Sequence, residues 1–133
     1  MTRVLIFGGR EFDDVAAVER TLTPLHRLFH FSAVIEGEAV GADTLARDWA
    51  QLNGIPVEPH FANWDLFGAR AGTIRNARML REGNPKLGIG FPGGPGTADM
   101  ARRLKAADVP IIQGTWSAGP GSAIKWKVVR KNK

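Results

Sequence analysis

Cysteine is absent from this 133-residue chain, which excludes disulfides, thiolate metal sites and a cysteine nucleophile. The absence agrees with a reducing compartment. No apolar run approaches the ~20 residues of a membrane span, and the chain enters an apolar segment at Arg3 without the layout of a signal peptide, so a soluble, cytoplasmic protein is expected. Histidine is scarce. His26 and His30 stand four residues apart, but no acidic residue lies between them as in H-E-x-x-H, and with His60 they read as solvated or structural groups; no metal is expected. Acidic residues stop at Asp108, whereas Lys125, Lys127, Arg130, Lys131 and Lys133 follow it. Of 18 basic residues these five carry the net charge of +5, and the other 13 balance 13 acidic ones. A basic tail attracts nucleic acid through nonspecific electrostatics, yet terminal charge runs are more often solvated and disordered, and the second reading is preferred.

Two familiar phosphate motifs are missing as well. Gly8-Gly9-Arg10-Glu11-Phe12-Asp13 is not G-x-G-x-x-G, and nothing matches G-x-x-x-x-G-K-[ST]. What is present is a regular alternation of apolar runs and helical periods. Arg3–Phe7, Ala33–Glu36, Val57–Phe61, Leu87–Phe91 and Val109–Gln113 read as strands. Between them, Asp13 or Asp14 caps a helix with Val15, Val18, Leu22, Leu25 and Leu28 on its apolar face, broken or kinked near Thr23-Pro24. A second helix over Ala42–Asn53 buries Leu45, Ala46, Trp49 and Leu52 and stops at Gly54. A polar and aromatic loop, Ala62–Gly68, leads to a third over Arg70–Glu82, and a fourth, with Thr97 as its N-cap, runs to Ala107.

The alternation predicts an α/β fold, a Rossmann-like three-layer sandwich around a central parallel sheet of about five strands. One domain is expected over residues 1–114, with 115–133 as a basic tail or a short edge element. In such sheets ligands collect at the carboxyl ends of strands where the strand order reverses. Gly8-Gly9-Arg10, Gly37–Gly41 and Pro92–Gly96 all fall at such ends, which points to one shared site.

In Phe91-Pro92-Gly93-Gly94-Pro95-Gly96-Thr97, glycine and proline suit a turn that leaves a strand and presents bare N–H groups and a helix dipole to an anion. Arg10 either clamps a phosphate in two-point fashion or pairs on the surface with Glu11 or Asp13. Glu36, at the end of the second strand, either grips a ribose diol or faces water. Trp64 either stacks on a base or anchors its loop. Gly72 hints at close packing or close ligand approach. Asp99 has a structural explanation as a first-turn acid and becomes functional only if it turns toward the ligand.

Taken together, Gly8–Asp13, Glu36-Gly37-Glu38-Ala39-Val40-Gly41-Ala42-Asp43, Trp64 with Ala71-Gly72, Arg75-Asn76-Ala77-Arg78-Met79 and Phe91–Met100 resemble the YspA-type branch of the SLOG superfamily. The resemblance runs in order from Val4 to Gln113. That superfamily includes the "lonely guy" phosphoribohydrolases, long labelled lysine decarboxylases, and the DNA-processing protein DprA. The resemblance implies a Rossmann-like domain that handles a nucleotide or nucleotide-derived ligand, without a metal or cofactor, and a homodimer.

Carried over residue by residue, it places the catalytic arginine on Arg75 and the first glutamate after PGGxGT on Asp99. The second glutamate falls on Met100, which can neither bind a hydroxyl nor move a proton. The implied ligand contacts are Gly8, Gly9, Arg10, Glu36, Gly37, Asn76, Pro92, Gly93, Gly94, Gly96 and Thr97. Hydrolysis of the N-glycosidic bond is one expected activity; a nucleotide sensor or a DprA-like nucleic-acid module is the alternative.

Overall fold

The computed structural model describes residues 1–130, so Lys131 and Lys133 of the basic tail lie outside the described residues. Six strands form one sheet: β1 (Thr2–Phe7), β2 (Phe31–Glu36), β3 (Val57–Pro59), β4 (Leu87–Gly90), β5 (Ile111–Trp116) and β6 (Ile124–Val129). Their order is β3-β2-β1-β4-β5-β6, with the first five parallel and β6 antiparallel to β5. The central strands β1, β2 and β4 are apolar on both faces because helices cover both. The strand order reverses between β1 and β4, where Val4 pairs with Val34 on one side and Leu87 on the other.

Alternate residues of the strands feed two cores. Val4, Ile6, Val34 and Ile89 pack against Ala17, Val18 and Leu22 of α1 (Val15–Phe29) and Ala46 and Trp49 of α2 (Ala42–Leu52). On the opposite face Leu5, Phe7, Ile35 and Ile111 meet Met79 of α4 (Ala71–Gly83) and Met100 and Leu104 of α5 (Pro95–Ala106). This is the expected three-layer sandwich. Gly88 of β4 lets α5 come close, since a Cβ there would lie 2.7 Å from Leu104 Cδ1.

Several local expectations need correction. Pro24 lies inside α1 without ending it. The carbonyl that Pro24 cannot serve belongs to Arg20, and both residues are exposed, so that carbonyl is open to solvent and not stranded in the core. Tertiary contacts hold the helix through it: Leu22 is buried, and Trp49 Nε1 donates to Thr23 Oγ1 at 3.1 Å. Pro24→Ala is therefore expected to stabilise the fold by roughly 1–2 kcal/mol, the helix gain partly offset by a freer unfolded chain, as a rise in thermal midpoint would show. Val15, Leu28 and Leu52 are exposed, because each helix contacts the sheet over a shorter stretch than its full apolar stripe. The loop over 62–68 contains a short helix, α3 (Trp64–Phe67), capped by Asn63, whose Oδ1 accepts from Leu66 N at 3.0 Å.

The C-terminal segment supplies a sixth strand. Register with β5 runs from Ile111 with Val129 to Trp116 with Ile124. Trp126 lies over Gly114, where a Cβ would sit 2.9 Å from its ring, and meets Phe91 edge-on at 5.5 Å between centroids. Ile124 packs against one core and Val129 against the other, while Lys125 and Lys127 are exposed, as suits an edge strand. Among the described residues no helix is long and apolar enough to cross a membrane.

Candidate functional site

A cleft of about 1260 Å³ opens at the carboxyl ends of β1 and β4, where the strand order reverses. Its floor is two loops in backbone contact. Gly9 N donates to Pro92 O at 3.0 Å, and a Cβ on Gly9 would lie 2.9 Å from Gly93 Cα. A Cβ on Gly8 would lie 2.6 Å from Ala42 Cβ, so α2 is seated against the same loop, and Ala42 N donates to Gly9 O at 3.1 Å. Gly8 and Gly9 therefore serve close packing, and the Gly9 N–H is already bonded.

The free donors lie one loop further on. α5 starts at Pro95, two residues before the expected Thr97 cap, with Gly94 as N-cap and no side chain capping it. Proline suits that first position because its φ is preset and no N–H is lost. The first bond within the helix runs from Ala98 N to Gly94 O at 3.0 Å, which leaves the N–H groups of Gly96 and Thr97 without helical partners. No atom lies within 4 Å of a Cβ placed on Gly94 or Gly96, so both face open space above the cleft floor. Gly93 differs, since a Cβ there would collide with Thr97 Oγ1 and Gly9 N.

Arg75 and Asn76 come from α4. Arg75 Nη1 donates to Gly37 O at 2.8 Å and Nε to Asn76 Oδ1 at 3.0 Å. Asn76 Nδ2 in turn donates to Gly96 O at 3.2 Å and to Asp99 Oδ2 at 3.1 Å, bracing the α5 N-terminus from α4. Asp99 is tied further by Arg103 Nε at 2.8 Å, with Arg102 at 3.7 Å. It lies beyond the first turn of α5, so the dipole explanation does not apply. Partial burial opposes ionisation, but the bonds from Arg103 and Asn76 outweigh it and hold the carboxyl below its usual range. Met100, its neighbour, is fully buried in the core.

Arg10 makes neither of the expected surface pairs with Glu11 or Asp13 among the described residues. Its guanidinium lies 4.9 Å from the centroid of the Trp64 ring, a cation–π contact across the cleft mouth. Trp64 is 45% exposed. Its ring lies over Gly72, where a Cβ would stand at ordinary contact distance, 3.5 Å, so the approach does not require glycine. Arg10, Arg75, Asn76, Pro92, Gly93, Gly94, Gly96, Thr97 and Asp99 all line the main cleft with Gly8 and Gly9. Gly37 lines a smaller adjoining pocket.

Glu36 lies behind both. It is 0% exposed; Oε1 accepts from Glu38 N at 3.0 Å, while Oε2 is buried without a partner. Burial, then the adjacent Glu38 carboxyl, push its pKa from 4.5 to about 8.

Sequence reasoning missed three contributors. Asp43, in the first turn of α2, lines the cleft with only 6% of its surface exposed. Trp116, Pro120 and Gly121 of the β5–β6 hairpin form part of the wall, and Arg102 adds charge. Two signals were available for Asp43, its place in the Glu36–Asp43 stretch that carries the family resemblance and an acid at a helix start after Gly41; the hairpin wall had none, because it depends on strand pairing.

Residues 2–67 match the family described as YspA, cpYpsA-related SLOG family. The chain is also 38% identical over 120 residues to Gene 61 protein of Mycobacterium phage D29, covering 84% of this chain and 95% of that protein. The chain belongs to the YspA, cpYpsA-related SLOG family. In this SLOG protein the matched span holds Gly8–Asp13, Glu36–Asp43 and Trp64, whereas Arg75 and the Pro92–Thr97 loop lie beyond it. Membership fits a module that binds a nucleotide-related ligand, and the cleft places the loops of both halves around one space.

Proposed function

We propose that this SLOG protein binds a nucleotide or nucleotide-derived ligand in the main cleft, its phosphate against the N-terminus of α5. The supporting observation is the uncapped helix start at Gly94, with unpaired N–H groups on Gly96 and Thr97 and open space over both glycines. Arg10 and Arg75 add positive charge on the same cleft. Binding is favoured over N-glycosidic hydrolysis because Asp99 is spent on Asn76 and Arg103 and is a weak base, while Met100 has no proton to give.

The test is thermal shift with a panel of nucleoside monophosphates and ADP-ribose, together with chromatography for released base. Stabilisation without released base is the expected result; turnover would favour the hydrolase, and no response to any nucleotide would sink the proposal. Gly96→Ala gives a sharper readout. The added methyl meets no protein atom and suits a helix, so the fold should hold or gain a few tenths of a kcal/mol. It also crowds the phosphate cradle, so nucleotide affinity should fall by roughly tenfold or more, as titration calorimetry would show.

A further inference from the structure

Of the carboxylates that line the cleft, Glu11, Asp13 and Asp14 are exposed, and among the shielded ones only that of Asp43 is not held by other side chains among the described residues. Its Oδ2 accepts a long bond of 3.4 Å from Ala39 N, and among the described residues no side chain donates to it or pairs with it. Asp99, by contrast, is held by three side chains, and Glu36 is sealed beneath the cleft. A carboxylate this deeply buried is costly unless something satisfies it. Burial raises its pKa to about 6 against the pull of Arg75 and the Gly37 and Ala39 backbone groups.

The placement is specific. Asp43 follows Ala42, which is bonded to Gly9, and Gly9 is bonded to Pro92 beside the phosphate cradle. A Cβ on Gly37 would lie 2.9 Å from both Asp43 Oδ2 and Arg75 Nη1, so the missing side chain lets an acceptor and a donor converge on one spot. Arg75 spends Nη1 on Gly37 O and Nε on Asn76, while Nη2 has no hydrogen-bond acceptor among the described residues and is left to donate. That combination suits a pair of neighbouring hydroxyls, which donate to a carboxylate and accept from a guanidinium.

We infer that Asp43, supported by Arg75, is the group that binds the vicinal diol of the ligand's ribose. The inference rests on the nucleotide reading above and assigns the sugar end of the same site. It also reassigns the role expected of Glu36.

The experiment compares adenosine 5′-monophosphate with its 2′,3′-dideoxy counterpart, on the wild type and on Asp43→Asn, by titration calorimetry. On the wild type, removing the diol should weaken binding by roughly 10- to 100-fold. Asp43→Asn should weaken binding of the ribonucleotide by a similar factor and leave the dideoxy nucleotide nearly unchanged, so that discrimination is lost. Equal binding of the two nucleotides by the wild type overturns the inference while leaving the phosphate site standing. Discrimination that persists in Asp43→Asn also overturns it. If the wild type binds neither of these nor any other nucleotide of the panel above, both this inference and the nucleotide reading fall. Asp43→Ser serves as a second variant should Asp43→Asn not fold, and the wild-type comparison needs no variant.

Discussion

At pH 8.5, Glu36→Gln is expected to melt roughly 5–15 °C above the wild type, and near pH 4 the two should melt together. Glu36 is fully buried, and its pKa lies at about 8 in the folded chain against 4.5 as the ordinary value. Below pH 4.5 the group is neutral whether the chain is folded or not, and the fold carries no penalty. As pH rises, the unfolded chain releases the proton while the folded chain keeps it, so stability falls by up to about 1.4 kcal/mol per pH unit until the folded pKa is passed. The total is on the order of a few kcal/mol.

Glutamine keeps an oxygen for Glu38 N, at 3.0 Å in the wild type, and places an amide beside the Glu38 carboxylate without any charge. Asp43, with its pKa raised to about 6, has the same sign over a lower window, so Glu36→Gln should retain a smaller decline that ends near pH 6. Melting curves from pH 4 to 9 on both proteins decide the matter. A parallel pH dependence would mean that Glu36 is not the buried acid responsible.

Gly41→Ala is expected to lose at least ~3 kcal/mol, enough to leave a marginal domain partly unfolded. Gly41 is the N-cap of α2 at φ 93° and ψ −132°, a conformation that side chains rarely adopt. A Cβ there would collide with Gly9 O and with the Arg10 backbone. Relief would push α2 away from the β1 loop and break the Ala42 N to Gly9 O bond, displacing Asp43 with it. Gly54→Ala is the comparison. Gly54 also has a positive φ, 69°, but nothing lies within 4 Å of its added Cβ, so only backbone strain of about 1 kcal/mol is expected. Urea unfolding of the two variants separates strain from collision, and equal losses would refute the collision.

Much of this molecule was legible before any coordinates. Thr2–Phe7, Phe31–Glu36 and Leu87–Gly90 are strands because each holds a short run that is buried on both faces, and a glycine at or just after its end, Gly8, Gly37 or Gly90, marks where the chain leaves the sheet. Pro24 reads as a break in the sequence because its penalty is local, whereas the Leu22 and Trp49 contacts that hold α1 through it are tertiary. Thr97 misled because its side chain suits a cap, whereas the turn at Gly94-Pro95 had already started the helix. The C-terminal lysines left a tail and an edge strand both open, since an exposed edge strand permits the charge that a tail would also carry, and pairing with β5 decides for the strand.

By itself the sequence determined the α/β layering, the strand ends on which glycine gathers, and the family to which the chain belongs, because periodicity and loop chemistry are local properties. Only the tertiary structure decided which carboxylate does what. Glu36, Asp43 and Asp99 are alike as acids in a string of letters. Their differences arise from neighbours distant in sequence: Glu36 is sealed beneath the site, Asp99 is bound by Asn76 and Arg103, and Asp43 is brought beside Arg75 at the edge of the cleft. Solvation and partner charge set the chemistry of an acid, and both are fixed by packing.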